Sequence, residues 1–167
     1  IFGEECHMTD SLEAKIQRLQ DIEDIKTLRY KYSYGANIID GKSGDLKAFA
    51  ALFAEDGRFD VGMGVAVGPA AIEAMMKELT TQWHAAMHYM LNPVIELKGD
   101  RADGKVTGLF AFTKALQDKP IWLCNIYTDS YVRTVQGWRF QSVGIDMTFA
   151  DPAFFQGYAD KLVEAAN

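Results

Sequence analysis

A histidine inside an apolar strand is the residue of this sequence best suited to moving a proton. His88 stands in Ala86-Met87-His88-Tyr89-Met90-Leu91-Asn92. Strand alternation puts Ala86, His88, Met90 and Asn92 on one face and Met87, Tyr89 and Leu91 on the other. Both faces are mostly apolar, so the imidazole is at least half buried and needs a partner. Two readings fit: a core histidine satisfied by a backbone carbonyl, or a general base facing a pocket. Asp40, between Ile38-Ile39 and Gly41, is either a turn carboxylate or the group that orients such a base. In the second role it would fix the tautomer and stabilise the imidazolium. Tyr30, Tyr32 and Tyr34 alternate along the end of the first helix, so at least one points inward. A buried phenol there is either a large core side chain or a donor to a developing oxyanion. Spacing alone does not bring Tyr32, Asp40 and His88 together.

Other constellations fail. The run Gly62-Met63-Gly64-Val65-Ala66-Val67-Gly68 lacks the third glycine of a dinucleotide loop and has no βαβ unit around it. His84 and His88 are four apart but straddle a helix-to-strand junction without clustered acids, so no metal site is expected. Two cysteines cannot build a disulfide framework or a four-ligand zinc site. No cofactor is implied. The 167 residues carry 17 basic against 23 acidic side chains, a net charge of −6. That balance argues against nucleic acid as a partner. No apolar run approaches the roughly 20 residues of a membrane span, and 49% hydrophobic residues exclude a disordered chain. The expectation is a cytoplasmic protein.

These groups need elements to hold them. Residues 1–7 show no periodicity and read as an expression leader, leaving a single domain over 8–167. Asp10-Ser11-Leu12-Glu13 resembles a capping box. Leu12, Ile16, Leu19, Ile22, Ile25 and Leu28 then form one apolar helical stripe. Residues 40–44 form a loop, a short helix carries Leu46 to Phe53, and Glu55-Asp56-Gly57 turns into a strand near 58–62. Pro69 opens a third helix, and His84 ends it. Strands follow at 86–98, 105–116, 121–134 and 138–149, separated by turns, so the sheet is largely antiparallel. Asp151-Pro152 begins a C-terminal helix. Helices first and strands afterwards give an α+β domain.

Taken together, Asp24-Ile25-Lys26-Thr27-Leu28-Arg29-Tyr30-Lys31-Tyr32, Asp40-Gly41 before Leu52-Phe53-Ala54-Glu55-Asp56, Met87-His88-Tyr89 with Asn92, and Tyr127-Thr128-Asp129-Ser130-Tyr131 before Gly137-Trp138-Arg139-Phe140 carry a resemblance. The stretch from Leu12 to Phe149 resembles the SnoaL-like branch of the nuclear transport factor 2-like superfamily. Within it the pattern looks most like bile-acid 7α-dehydratase and γ-hexachlorocyclohexane dehydrochlorinase. The resemblance implies a cone-shaped α+β barrel, a cystatin-like roll whose curved sheet wraps around N-terminal helices over a deep apolar pocket. It also implies a lyase that takes a carbon-bound proton from a small cyclic apolar substrate. His88 would be the base, Asp40 its orienting partner and Tyr32 an assisting group. Phe59, Asp60, Met90, Asn92, Trp122 and Asn125 would line the pocket. An isomerase or cyclase on this scaffold would use Asp60 as base instead, and a third possibility is a non-catalytic binding module. A homo-oligomer is implied, a trimer ahead of a dimer, through an exposed sheet face with Trp122, Tyr127, Tyr131 and Trp138. Two departures accompany the resemblance. The stretch from Tyr32 to Asp40 is longer than in those relatives, and their basic residue on the last strand has no counterpart between Val143 and Met147.

Overall fold

Helix α1 (Leu12–Ala36) is the axis on which the rest is built. The computed structural model describes residues 11–154. The expected leader, Asp10 and most of the expected C-terminal helix lie outside them. Ser11 caps α1: its hydroxyl accepts from the Ala14 amide at 3.2 Å. The buried positions are Asp21, Ile25, Leu28, Arg29, Tyr32, Ser33 and Ala36. They recur mostly at the three- and four-residue spacing of one helix face. Leu12, Ile16 and Leu19 are exposed, so the expected stripe is buried only from its second half onward. Gly35 does not break the helix. Its missing Cβ lets α2 (Leu46–Ala50) approach, since a Cβ there would lie 3.1 Å from the Phe49 ring.

Between these helices the chain makes a hairpin rather than a loop. Strands β1 (Ile38–Ile39) and β2 (Lys42–Ser43) pair through Asp40-Gly41, whose φ values are 51° and 72°. Positive φ at both central residues is the mark of a type I′ turn, to which Asp-Gly is suited. Strand β3 (Phe53–Asp60) begins earlier than expected, with Glu55-Asp56-Gly57 inside it at a register shift. A short β4 (Val65–Val67) sits in the glycine-rich run. Helix α3 (Pro69–Thr80) follows, and His84 lies beyond its end.

Four long strands then form the wall: β5 (Ala85–Lys98), β6 (Arg101–Thr113), β7 (Ile121–Thr134) and β8 (Gly137–Ala150). The sheet order is β2-β1-β5-β6-β7-β8-β3-β4, antiparallel throughout except for the parallel β3–β8 pair. The result is a curled, mixed eight-stranded sheet with α1 packed against its inner face.

Two ion pairs clasp the helix to the sheet. Near its start, Asp21 receives both terminal nitrogens of Arg133, at 2.8 and 2.6 Å, and the Trp138 indole N–H at 3.2 Å. Hydrogen bonding to Arg133 holds the Asp21 carboxyl below its usual range. One face-length on, Arg29 pairs with Asp129, both side chains being almost fully buried.

Candidate active site

The inner face of the sheet, α1 and α3 enclose a cavity of about 310 Å³, at the lower end of the range for small-molecule sites. Its wall is largely aromatic and aliphatic, with Phe59, Met76, Phe110, Leu123 and Met147 among its members. Its polar members are Tyr32, Thr80, Gln82, His88, Asn125 and Tyr127. No Asp, Glu, Lys or Arg among the described residues lines it.

His88 is placed by the end of α1. Beyond the Ile38–Ala86 pair, β5 has no further β1 residue to bond. Side chains from the last turn of α1 take over. The Ser33 hydroxyl donates to the His88 carbonyl, and the Asn37 side-chain oxygen accepts from the His88 backbone N–H at 2.8 Å. The same oxygen lies 3.2 Å from His88 Nδ1. The backbone N–H requires an acceptor, so the amide oxygen, not its nitrogen, faces the histidine. Nδ1 must then carry the proton, and Nε2 keeps its lone pair. Phe110 and Phe112 meet the ring edge-on, with centroids at 5.0 and 5.8 Å. Burial among them pulls the imidazole pKa down to about 4, so His88 is uncharged at neutral pH.

Asp40 is not brought to His88. Its side chain is 78% exposed, and its carboxylate lies 3.9 Å from His84 Nε2. The I′ turn throws it outward, while Asn37, 8% exposed at the helix C-terminus, takes the place beside the imidazole. The expected Asp40–His88 dyad is therefore corrected to an Asn37–His88 pair.

Tyr32 is the inward tyrosine of its trio; Tyr30 and Tyr34 are exposed. Its hydroxyl lies 3.4 Å from that of Tyr127, and both line the cavity. Burial raises the pKa of each phenol, so both remain donors at neutral pH. Behind their rings stands a cation that sequence reasoning passed over. The Arg29 guanidinium carbon is 4.4 Å from the Tyr32 ring centroid, 4.2 Å from Tyr127 and 4.8 Å from Phe140.

The other expected pocket residues divide. Phe59 and Asn125 are at the wall. Asp60 is not, because alternation turns Phe59 and Val61 inward and Asp60 out, where it accepts from Arg58 at 2.7 Å and from the Gly62 amide at 3.3 Å. Trp122 is outside for the same reason, as β7 buries Leu123, Asn125 and Tyr127. Met90 shares the His88 face but packs half-buried against the core. Asn92 is exposed, with φ 51°, at the bulge between Leu91 and Val94. Tyr127, Tyr131 and Trp138 are buried and cannot form an outer oligomer face.

The profile of the SnoaL-like domain matches residues 17–144 of this chain. The chain belongs to the SnoaL-like domain family. No curated protein is significantly similar to it in sequence. Among solved structures, an NTF2-like protein with a cystatin-like fold from Novosphingobium aromaticivorans superposes with a TM-score of 0.70 at 24% identity, covering 87% of this chain and 95% of that one. The hexachlorocyclohexane dehydrochlorinase LinA-type3 from Novosphingobium barchaimii LL02 gives 0.71 at 22% identity, covering 83% and 93%. A candidate scytalone dehydratase from Novosphingobium aromaticivorans DSM 12444 gives 0.69 at 20%, covering 82% and 90%. Likeness at this identity establishes a shared fold. This SnoaL-like domain therefore has neighbours of dehydratase and dehydrochlorinase type, while its histidine carries an amide partner.

Proposed function

We propose that this SnoaL-like domain is a cofactor-independent lyase-type enzyme that admits a small uncharged cyclic molecule and removes a carbon-bound proton with His88. The carrying observation is the pairing of His88 Nδ1 with Asn37, which leaves Nε2 unbonded to any described residue in a cavity without charged side chains. Tyr32 and Tyr127 are placed to donate to an oxygen of the ligand or of the leaving group. The dehydrochlorinase and dehydratase neighbours support a lyase over other chemistries. Asp60, held outside by Arg58, does not support the isomerase or cyclase reading that relied on it as base.

A pH–rate profile cannot separate a histidine base from a carboxylate here, because burial carries His88 into the carboxylate range. The deciding experiment is a panel of cyclic alcohols and halides, with loss of water or hydrogen halide followed by mass spectrometry. One panel member is expected to react with the wild-type protein and to be untouched by His88→Ala. Full turnover by His88→Ala would remove the base assignment. A second reading, ligand holding without turnover, is favoured by the neutral amide beside His88, which offers an imidazolium less support than a carboxylate does. Tight binding across the panel with no product from wild-type protein would establish it.

Self-association belongs to the same proposal, through the exposed side of the sheet, where Trp122 stays and the buried Tyr127, Tyr131 and Trp138 drop out. Tyr89, Leu109, Cys124 and Phe149 form one row across β5 to β8, flanked by Leu91 and Trp122. Of these, Tyr89, Leu91, Trp122 and Phe149 are exposed apolar side chains, a patch suited to an interface. Light scattering at micromolar concentration is expected to give a trimer, with a dimer next in order. Tyr89→Glu with Phe149→Glu is expected to give monomer, and a monomeric wild type would sink the idea.

A further inference from the structure

Among the polar side chains of the cavity wall, Asn125 is the most deeply buried one that the chain itself leaves unanswered. Asn125 is 2% exposed and lines the cavity, and its side chain makes no hydrogen bond to any described residue; its Oδ1 is fully buried without a partner. A buried primary amide costs about 1–3 kcal/mol when its polar atoms are left unmade, so its retention at a cavity wall calls for a ligand. Its backbone position is set by pairing with Gly108, where a Cβ would come 2.7 Å from Asn125 Oδ1 and 2.6 Å from the Phe110 ring. The glycine makes room for the amide to lie flat against the sheet. His88 and Asn125 sit on strands separated only by β6, offset by one pleat repeat, because His88 faces Phe110 and Asn125 faces Gly108. Their backbones lie about 12 Å apart at ordinary strand spacings, and the two side chains take up part of that gap, leaving room for a small ring between them.

We propose that Asn125 is the recognition residue of this cavity, and that the ligand it selects is an uncharged ring bearing a hydroxyl group. A hydroxyl both donates and accepts, so it answers the amide whichever end it meets. A carboxylate or phosphate finds no cationic side chain at the wall, and its desolvation goes uncompensated. Arg29, the one buried cation among the described residues, is already paired with Asp129 and covered by the tyrosine rings. This inference rests on the cavity being the ligand site proposed above, and it adds which ring substituent that site reads.

The test is a ligand–protein double cycle. Naphthalene, 2-naphthol and 2-naphthoate are titrated against wild-type protein and Asn125→Leu, with binding followed in amide NMR spectra that also report folding. In the wild type, 2-naphthol is expected to bind more tightly than naphthalene, and 2-naphthoate not at all. The naphthalene-to-naphthol Kd ratio should fall about tenfold in Asn125→Leu, the size of one hydrogen bond. Should leucine disturb the spectrum, Asn125→Ala closes the same cycle. An unchanged ratio overturns the role of Asn125, and binding of 2-naphthoate as tight as 2-naphthol overturns the selection for uncharged ligands. Absence of binding by all three overturns the inference together with the cavity as ligand site. Turnover that survives His88→Ala overturns the proton-transfer reading and leaves this one standing.

Discussion

Arg29→Met is expected to destabilise the protein by about 3–5 kcal/mol, the cost of breaking a buried ion pair from one side. Arg29 and Asp129 have side-chain exposures of 1% and 0%. Asp129 accepts from Arg29 Nε at 3.1 Å and from the Tyr131 hydroxyl at 2.8 Å. Burial works against the guanidinium charge, and Asp129 with the surrounding phenols more than offsets it, so the Arg29 pKa is raised. Methionine fills similar space among the three aromatic faces but leaves the carboxylate with Tyr131 alone. For a domain of this length the loss corresponds to a Tm lower by about 6–20 °C. The double variant Arg29→Met/Asp129→Leu should recover most of it, since replacing both charges by apolar groups is often neutral. Thermal melts of the three proteins decide the point. A drop below about 1 kcal/mol for the single variant would mean that Asp129 is not held by Arg29.

The same two residues show where pattern reading works and where it stops. The long strands were legible because apolar residues alternate along most of their length and glycine marks two of their three connections, at Gly99 and Gly137; the 121–134 expectation coincides with β7. That one of Tyr30, Tyr32 and Tyr34 points inward followed from the helix, and the choice of Tyr32 from the resemblance. The inner face of α1 was misread because periodicity counts apolar residues. It therefore gave Leu12, Ile16 and Leu19 to the core and left out Asp21 and Arg29, which are buried as halves of ion pairs made by β7, more than 90 positions away. Asp40 was misread for a related reason. Asp-Gly announces a turn, and in this hairpin the Asp40 side chain is left 78% exposed, away from His88. Where the chain re-enters the sheet after α1 depends on the β1–β5 pairing, a tertiary fact that no local pattern states.

That re-entry point carries the second large effect. Asn37→Asp changes one NH2 group into an oxygen at a position where the amide nitrogen has no hydrogen bond to a described residue and the oxygen already serves two donors of His88. A carboxylate there accepts the same two hydrogen bonds and adds a full negative charge beside Nδ1. An opposite charge at that range raises an imidazole pKa by about 1–3 units. His88 would climb from about 4 into the region where histidine bases work. The sign follows from linkage. In the wild type the folded pKa lies below the unfolded value near 6.5, so the unfolded chain binds the extra proton, and stability is lost as pH falls from about 6.5 to 4. In Asn37→Asp the gap narrows and that acid loss shrinks. On the proposed reaction, the acid limb of kcat/KM moves to higher pH by the same 1–3 units, because the base must be unprotonated to act. The variant therefore loses activity near pH 5, where the wild type keeps its plateau. NMR titration of the His88 ring in both proteins measures the shift directly, with or without a substrate in hand. A His88 pKa that moves by less than about half a unit would show that Asn37 does not face the imidazole. A pKa that rises while the kcat/KM profile stays still would show that His88 is bound to Asn37 but is not the base.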